Sequence, residues 1–225
     1  MSEGFRIKKT WQRVDPALVE AFRPLPVANV SDCMWRMDAG GADLRPMHRD
    51  ATLAGPAFTL RMRPGDNLLL HKAIDMAQPG DVIVCDAGGD TTNSLFGELM
   101  LSHAIKRGVA GLVLNGAVRD ADALYQRNHP VYATGVTHRG PYKDGPGEIG
   151  FPIALGGMVI HPGDLILGDG DGVLAVPRAG AAEILERSKA KLKAEEKQMA
   201  AINDGSVDRS WVDKALEEKG CVYID

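Results

Sequence analysis

Two short and almost wholly apolar runs, Asp81-Val82-Ile83-Val84-Cys85 and Gly111-Leu112-Val113-Leu114-Asn115-Gly116, constrain the fold of this chain more than any other feature. Runs of this kind, without polar alternation, are what strands buried on both faces require. The chain between them has room for one helix, predicted from about Ser94 to Arg107, with Gly108 placed to end it in a left-handed cap. Strand, helix and strand in that order imply a right-handed crossover and parallel pairing. Further strands are expected at Ala57 to Met62 and Val131 to Thr134. The core is therefore α/β.

Around that core, Asp15-Pro16 reads as a cap and first helical position for Ala17 to Phe22, closed by Pro24 and Pro26. A second short helix is predicted from about Ser31-Asp32 through Cys33 to Met37. Asp66 is a candidate cap for a helix over Asn67 to Met76, stopped by Gln78-Pro79-Gly80. Asp86 to Asn93 reads as a turn-rich stretch, and His138 to Gly150 as a long surface loop. Short strands at Pro152 to Leu155, Met158 to Ile160, Leu165 to Leu167 and Val173 to Val176 suit a small β layer. Pro-Gly-Asp occurs at 64–66, 79–81 and 162–164, which we read as recurring turn chemistry rather than a duplicated domain. The sequence closes with a long amphipathic helix, Ala181 to Ile202, and one further helix around Trp211 to Leu216. Trp11, Trp35 and Trp211 are expected to be packing residues.

Composition excludes several classes. The 225 residues are 44% hydrophobic and 25% charged, as in ordinary globular proteins. A net charge of -4, with no Lys/Arg stripe, argues against nucleic acid as a partner, because such binding rests on neutralised phosphates. Cys33, Cys85 and Cys221 lie far apart without CxxC spacing, so neither a disulfide framework nor a thiolate zinc site is expected. The charged N-terminus lacks the core of a secretory signal, and no apolar run approaches the ~20 residues that span a bilayer. These readings give the expectation of a soluble, cytoplasmic protein.

Two stretches carry chemistry. Gly88-Gly89-Asp90-Thr91-Thr92-Asn93, running on into Gly97-Glu98-Leu99-Met100, lies between a buried strand and a helix start, where α/β proteins bind anions. It contains no nucleotide motif. Arg119-Asp120 follows the next strand, which parallel pairing would set beside the first stretch. Arg offers a planar fork of donors for a carboxylate or keto oxygen, and Asp a hard oxygen for Mg²⁺. The structural alternative is a surface pair with Asp120 as helix cap. A Schiff base would need a desolvated lysine, whereas Lys72 and Lys106 fall on solvent-facing helix positions. The six histidines show no zinc spacing; His71 reads as structural, and His138 is placed to line a pocket mouth.

From about Val27 to the C-terminal helix the chain resembles the RraA-like group, which includes the class II 4-hydroxy-4-methyl-2-oxoglutarate and 4-carboxy-4-hydroxy-2-oxoadipate aldolases. The matching stretches are Pro64-Gly65-Asp66-Asn67, His71-Lys72-Ala73, Gln78 to Val84, Gly97-Glu98-Leu99, Arg107 to Gly111, Gly116 to Asp120, Gly140-Pro141 and Pro162-Gly163-Asp164. The family's acidic residue, twenty residues, then Arg-Asp stands here as Glu98 and Arg119-Asp120. Some aldolase members carry Asp where this chain has Glu98, which bears on substrate preference.

The resemblance implies a swivelling α/β/β sandwich over residues 1–178, with a C-terminal helical extension over 179–225 that packs between subunits of a homotrimer or homohexamer. It implies that Asp120 holds Mg²⁺ or Mn²⁺, that Arg119 holds the oxygen of pyruvate, and that backbone N–H groups near Gly97, Leu99 and Met100 hold its carboxylate. Acids borrowed across subunits correspond to Asp32 and Glu195, which the residues alone read as a helix start and a solvated face. The implied activity is metal-dependent cleavage of a 4-hydroxy-2-oxo acid to pyruvate, with oxaloacetate decarboxylation beside it. A rival reading is a regulator that binds an RNA-degrading endonuclease. A third, a quinone methyltransferase, lacks any nucleoside-binding signature.

Overall fold

The computed structural model describes residues 3–38 and 40–224. They fall into two compact units, Met1–Ser188 and Lys189–Asp225. In the first, the main sheet contains β1 (Phe5–Ile7), β2 (Arg45–Pro46), β3 (Leu53–Met62), β4 (Val82–Phe96), β5 (Gly111–Val118), β6 (Val131–Val136) and β7 (Gly147–Ile149), in the order β1-β7-β3-β4-β5-β6-β2. Strands β3, β4, β5 and β6 run parallel, as the two apolar runs require. Their crossovers carry α3 (Leu68–Met76), α4 (Glu98–Lys106) and α5 (Ala121–Arg127). The N-terminal helices are α1 (Pro16–Phe22) and α2 (Val27–Cys33). A β layer is formed by β8 (Ile153–Leu155), β9 (Met158–Ile160), β10 (Leu165–Asp169) and β11 (Gly172–Val176). Leu53 to Pro56 of β3 pair with β10, and Ala57 to Arg61 pair with β4, so one strand serves both layers.

This arrangement explains why the apolar runs do not alternate. Ile83 and Cys85 of β4 join Leu70, Ile74, Leu101 and Ala104 beneath the helices. Val82 and Val84 point the other way, onto Ile153, Leu155, Ile160 and Ile166 of the β layer. Both faces are dry, and each fully buried aliphatic side chain contributes about 1.5–3 kcal/mol. The architecture is thus the expected α/β/β sandwich, and α6 (Ala181–Asp204) and α7 (Ser210–Glu218) supply the C-terminal helices. No described helix is long and apolar enough to cross a membrane.

Several local expectations need correction. Helix α2 begins at Val27, so Pro26 opens it, and it ends at Cys33. It cannot reach Met37 because Trp35 and Arg36 adopt φ of 62° and 59°. Asp86 to Asn93 is not a turn-rich break: β4 stays extended to Phe96, with register shifts against β5 at Asp90, Ser94 and Phe96. Gly88 and Gly89, at φ 70° and 73°, supply the irregular backbone. Helix α4 consequently starts at Glu98, four residues later than predicted. The predicted loop His138 to Gly150 contains a buried strand, β7, paired with both β1 and β3. Trp11 packs edge-on against Phe58 at 5.0 Å, but Trp35 and Trp211 are 79% and 66% exposed and are not packing residues within this chain.

The three Pro-Gly-Asp segments do form one kind of turn. Gly65, Gly80 and Gly163 all have positive φ, and in each turn the Asp N–H donates to the carbonyl three residues back.

Candidate active site

The site lies where β4 and β5 end. Phe96 pairs with Val118, and the Arg119 N–H donates to the Phe96 carbonyl at 2.9 Å, tying the two strand ends together. Asp120 then adopts φ 56° and ψ 40°, a left-handed conformation that Asp tolerates better than most residues. It occupies the cap position of α5, yet its carboxylate makes no bond to that helix. Instead Oδ2 accepts the Glu98 N–H of α4 at 2.9 Å. The helix-cap alternative is therefore wrong in a specific way: Asp120 caps the neighbouring helix. Its Oδ1 has no hydrogen-bond partner among the described residues, and the side chain is about 40% exposed.

Gly97 makes this crossing possible. Its φ of -157° suits any residue, so the requirement is steric. A Cβ there would strike Asp120 Oδ2 and lie 3.0 Å from Arg119 Cγ. Arg119 Nε stands 3.8 Å from the same Oδ2. The N–H groups of Leu99 and Met100 open α4, where no carbonyl of their own helix can reach them, and the positive end of the helix dipole adds to their pull on an anion.

Gly97, Leu99, Met100, Arg119 and Asp120 line a single cavity of about 350 Å³ together with Asn67, His71, Gly140 and Lys143. A second hollow of about 300 Å³ touches Arg119 and Asp120 from the side of Val136, Thr137 and His138. His138 thus stands at an approach to the pair, as expected. Burial and the Lys143 charge both push the His71 imidazole below its ordinary pKa, Asp75 opposes them, and His103 adds weakly to the lowering.

The wall formed by residues 138–146 is held at many points. The Arg139 carbonyl accepts from Ser94 N and Oγ at 2.8 and 2.9 Å, and the Gly140 carbonyl accepts from Asn93 Nδ2. Tyr142 exchanges backbone bonds with Gly65 and Asn67 at 2.9 and 3.0 Å. The buried Asp66 carboxylate accepts the N–H groups of Leu68, Asp144 and Gly145 at 2.9, 2.6 and 3.0 Å. Helix α3 thus starts one residue later than predicted, with Asn67 in the cap position, while Asp66 still holds its first N–H and also anchors the opposite loop. Asn67 Nδ2 donates to the Leu95 carbonyl at 2.9 Å.

Not every expected residue joins the cavity. Glu98 contributes its backbone N–H, but its side chain is exposed and does not line the space. Asp32 sits on α2, half-buried in an ion pair with Arg36 at 2.6 Å. Glu195 belongs to the second unit and pairs with Lys191 at 2.9 Å. Lys72 and Lys106 are exposed and outside the cavity. Among the described residues no cluster of three or more His, Cys, Asp or Glu could hold a metal. Asp120 is the carboxylate of the cavity. A single hard-oxygen ligand with a free oxygen fits Mg²⁺, which takes one or two protein carboxylates and keeps several waters.

Sequence reasoning passed over Asn67 and Lys143 and read His71 as structural, whereas all three line the cavity. Asn67 and His71 stood in matched stretches without a recognisable chemical motif, and Lys143 lay in the presumed surface loop.

Fold and site together define an α/β/β protein with a polar pocket built on an Arg-Asp pair where two parallel strands end. The chain belongs to the RraA-like family, whose model, described as Aldolase/RraA, matches residues 27–175. A Halalkalibacterium halodurans protein, provisionally named 4-hydroxy-4-methyl-2-oxoglutarate aldolase, is 37% identical over 199 residues, covering 88% of this chain and 95% of that protein. An uncharacterised protein from Pseudomonas syringae pv. tomato has a similar structure, with TM-score 0.78, 26% identity, and coverage of 88% and 97% of the two chains. So does Streptomyces coelicolor RraAS2, described as an unusual member of the RNase ES inhibitor RraA protein family, with TM-score 0.76, 27% identity, and coverage of 83% and 98%.

Proposed function

We propose that this protein is a divalent-metal-dependent lyase that cleaves a 4-hydroxy-2-oxo acid of the 4-hydroxy-4-methyl-2-oxoglutarate type to pyruvate, and that it also decarboxylates oxaloacetate. The observation that carries this reading is the convergence of Arg119, Asp120 and the opening N–H groups of α4 in one cavity. In this reading Leu99 N–H and Met100 N–H bind the carboxylate next to the keto group. The Arg119 guanidinium donates to the keto oxygen. Breaking the C3–C4 bond leaves its electron pair on the pyruvate fragment as an enolate, and Arg119 stabilises the charge on that oxygen. The Glu98 carboxylate, exposed beside the cavity rather than in its lining, would have to turn inward to hold the water that takes the C4 hydroxyl proton as C4 becomes a ketone. The enolate is then protonated at C3 to release pyruvate. Loss of CO₂ from oxaloacetate breaks the corresponding bond and leaves the same enolate.

Asp120 would hold Mg²⁺ or Mn²⁺, and the bound ion would polarise the keto oxygen as a Lewis acid. The reading includes a homotrimer or homohexamer in which the segment 179–225 meets a neighbouring copy, with Asp32 and Glu195 available to a site shared between copies.

The experiment is pyruvate release from 4-hydroxy-4-methyl-2-oxoglutarate and from oxaloacetate, in Mg²⁺ and in EDTA. Release in Mg²⁺ that EDTA abolishes supports the lyase. The structural likeness to RraAS2 favours a second reading, a regulator that binds an RNA-degrading endonuclease. Failure to turn over either acid, combined with inhibition of such an endonuclease, would replace the first reading with the second.

A further inference from the structure

Val131 opens β6 and pairs with Leu112 near the start of β5, whereas Arg119 follows the end of β5, so the start of β6 lies at the other end of the parallel strands from the Arg-Asp pair. There a short arm, residues 45–52, closes the edge of the main sheet. Strand β2 pairs with β6 through Arg45 and Pro46. Backbone makes only half of the next rung: the Met47 N–H donates to the Val131 carbonyl at 2.7 Å. The Val131 N–H, which a strand carbonyl would ordinarily receive, donates instead to His48 Nδ1 at 3.1 Å. His48 Nε2 lies 2.8 Å from the Ala51 carbonyl, and the residue is 4% exposed. Beside it, Asn128 Oδ1 accepts the N–H groups of Arg49, Asp50 and Ala51. An imidazole and a side-chain amide therefore hold the arm where the ladder runs out.

These contacts assign the state of the ring. Facing a carbonyl, Nε2 carries the proton, and Nδ1 is the bare acceptor of the Val131 N–H. A second proton has to go on Nδ1. It would oppose the Val131 N–H and leave that donor without an acceptor, while the Val131 carbonyl, 3.0 Å away, already takes the Met47 N–H. The charge would also be poorly received. Burial pushes the neighbouring His129 imidazole below its ordinary pKa, a bond to the Val109 backbone opposes this, and His48 and Arg127 add to the lowering. His129 Nε2 is itself buried without a partner among the described residues. Tyr132 meets His48 edge-on at 5.0 Å and has its hydroxyl on the Asp169 carbonyl. On the arm, Arg49 and Asp50 are exposed, and Asn128 Nδ2 holds the Asp50 carboxylate at 2.7 Å.

We propose that His48 is an acid-sensitive latch: neutral, it locks residues 45–52 onto β6; protonated, it releases them and bares the β6 edge. An uncovered edge offers its N–H and C=O groups to another strand, so acid would turn a closed sheet into one open to strand pairing. None of the latch residues lines the Arg-Asp cavity, and the latch stands whether or not the protein is a lyase.

Hydrogen exchange of the full chain, corrected for the intrinsic effect of pH, tests the latch. Between about pH 7.5 and about pH 5.5, the range in which imidazoles titrate, protection of Val131 and of residues 47–51 should fall. The expected fall is about tenfold, the scale of one lost backbone bond, while residues 82–85 of β4 keep their protection. His48→Gln, which offers a donor and an acceptor but takes no proton, should lose most of that pH dependence. Unchanged protection in the wild type, or an equal fall in His48→Gln, would overturn the latch. Should His48→Gln not fold, nitrogen NMR of the wild type decides. A His48 ring bare at Nδ1 at about pH 7.5, taking up a proton over the range in which the arm loses protection, supports it. A proton on Nδ1 at that pH, or a ring that stays neutral while the arm opens, overturns it.

Discussion

Three copies of Pro-Gly-Asp make the same turn in this protein, yet two of them use the aspartate for the frame and one for the site. At 79–81 and 162–164 the carboxylate folds back on its own turn, accepting the Gln78 and His161 N–H groups at 2.8 Å each. The same carboxylates then tie down another segment. Asp81 receives Arg13 Nε on its other oxygen at 2.7 Å and Nη2 on the shared one at 2.8 Å, and the other oxygen of Asp164 receives the Arg178 N–H at 2.9 Å. At 64–66 the carboxylate instead reaches forward, to the start of α3 and to the loop opposite. An identical tripeptide thus has different consequences according to which donors the surrounding chain brings near. The difference teaches that the turn is local, whereas the role of its aspartate is tertiary.

The largest effect expected from breaking this comparison is on stability. Asp81→Ala would strand Arg13, whose pKa the Asp81 carboxylate raises, in a half-buried position. Denaturant unfolding should show a loss of about 3 kcal/mol, with kcat/KM per folded molecule nearly unchanged. Asp66→Ala releases three N–H groups and the wall they hold. A shift of ~1 Å in that wall should lower kcat/KM about 100-fold, which a pyruvate-release assay would read. Asp164→Ala removes two backbone bonds and should cost about 2 kcal/mol in the same unfolding experiment, again sparing KM.

The smallest effect concerns pH. Burial lowers the pKa of His129, so the unfolded chain binds its proton more readily than the folded one. Its contribution to stability is complete above the ordinary value of 6.5 and is lost as pH falls below it. Thermal melts should show a slope there that His129→Phe reduces and that all three Asp variants retain.

Much of this was legible in advance. Continuous apolar runs announce parallel strands, because both their faces are covered, and the Asp15-Pro16 and Gly108 signals sit at real helix ends. Arg119 and Asp120 stood out as a polar pair after such a strand. What sequence could not show were features decided by distant partners. Ser94 looks like a helix start, but its N–H and hydroxyl are taken by the Arg139 carbonyl, so β4 continues. Residues 147–149 look like loop because three residues are too few for a periodicity, and their strand exists through β1 and β3. The backbone on either side of Lys143 is held by Gly65, Asp66 and Asn67, more than seventy residues earlier in the chain. Asp120 looks like a cap for its own helix, and only the left-handed backbone reveals that it serves the next one.

The central claim is that the Asp120 carboxylate, turned away from its own helix, makes this cavity a metal-dependent pyruvate-forming site. The most direct test is the Mg²⁺ dependence of pyruvate release from 4-hydroxy-4-methyl-2-oxoglutarate, measured for the wild type and for Asp120→Ala after confirming equal folding by circular dichroism. The account predicts saturable activation of the wild type and no turnover by the variant at any Mg²⁺ concentration. Turnover in Asp120→Ala with the same Mg²⁺ response would contradict it.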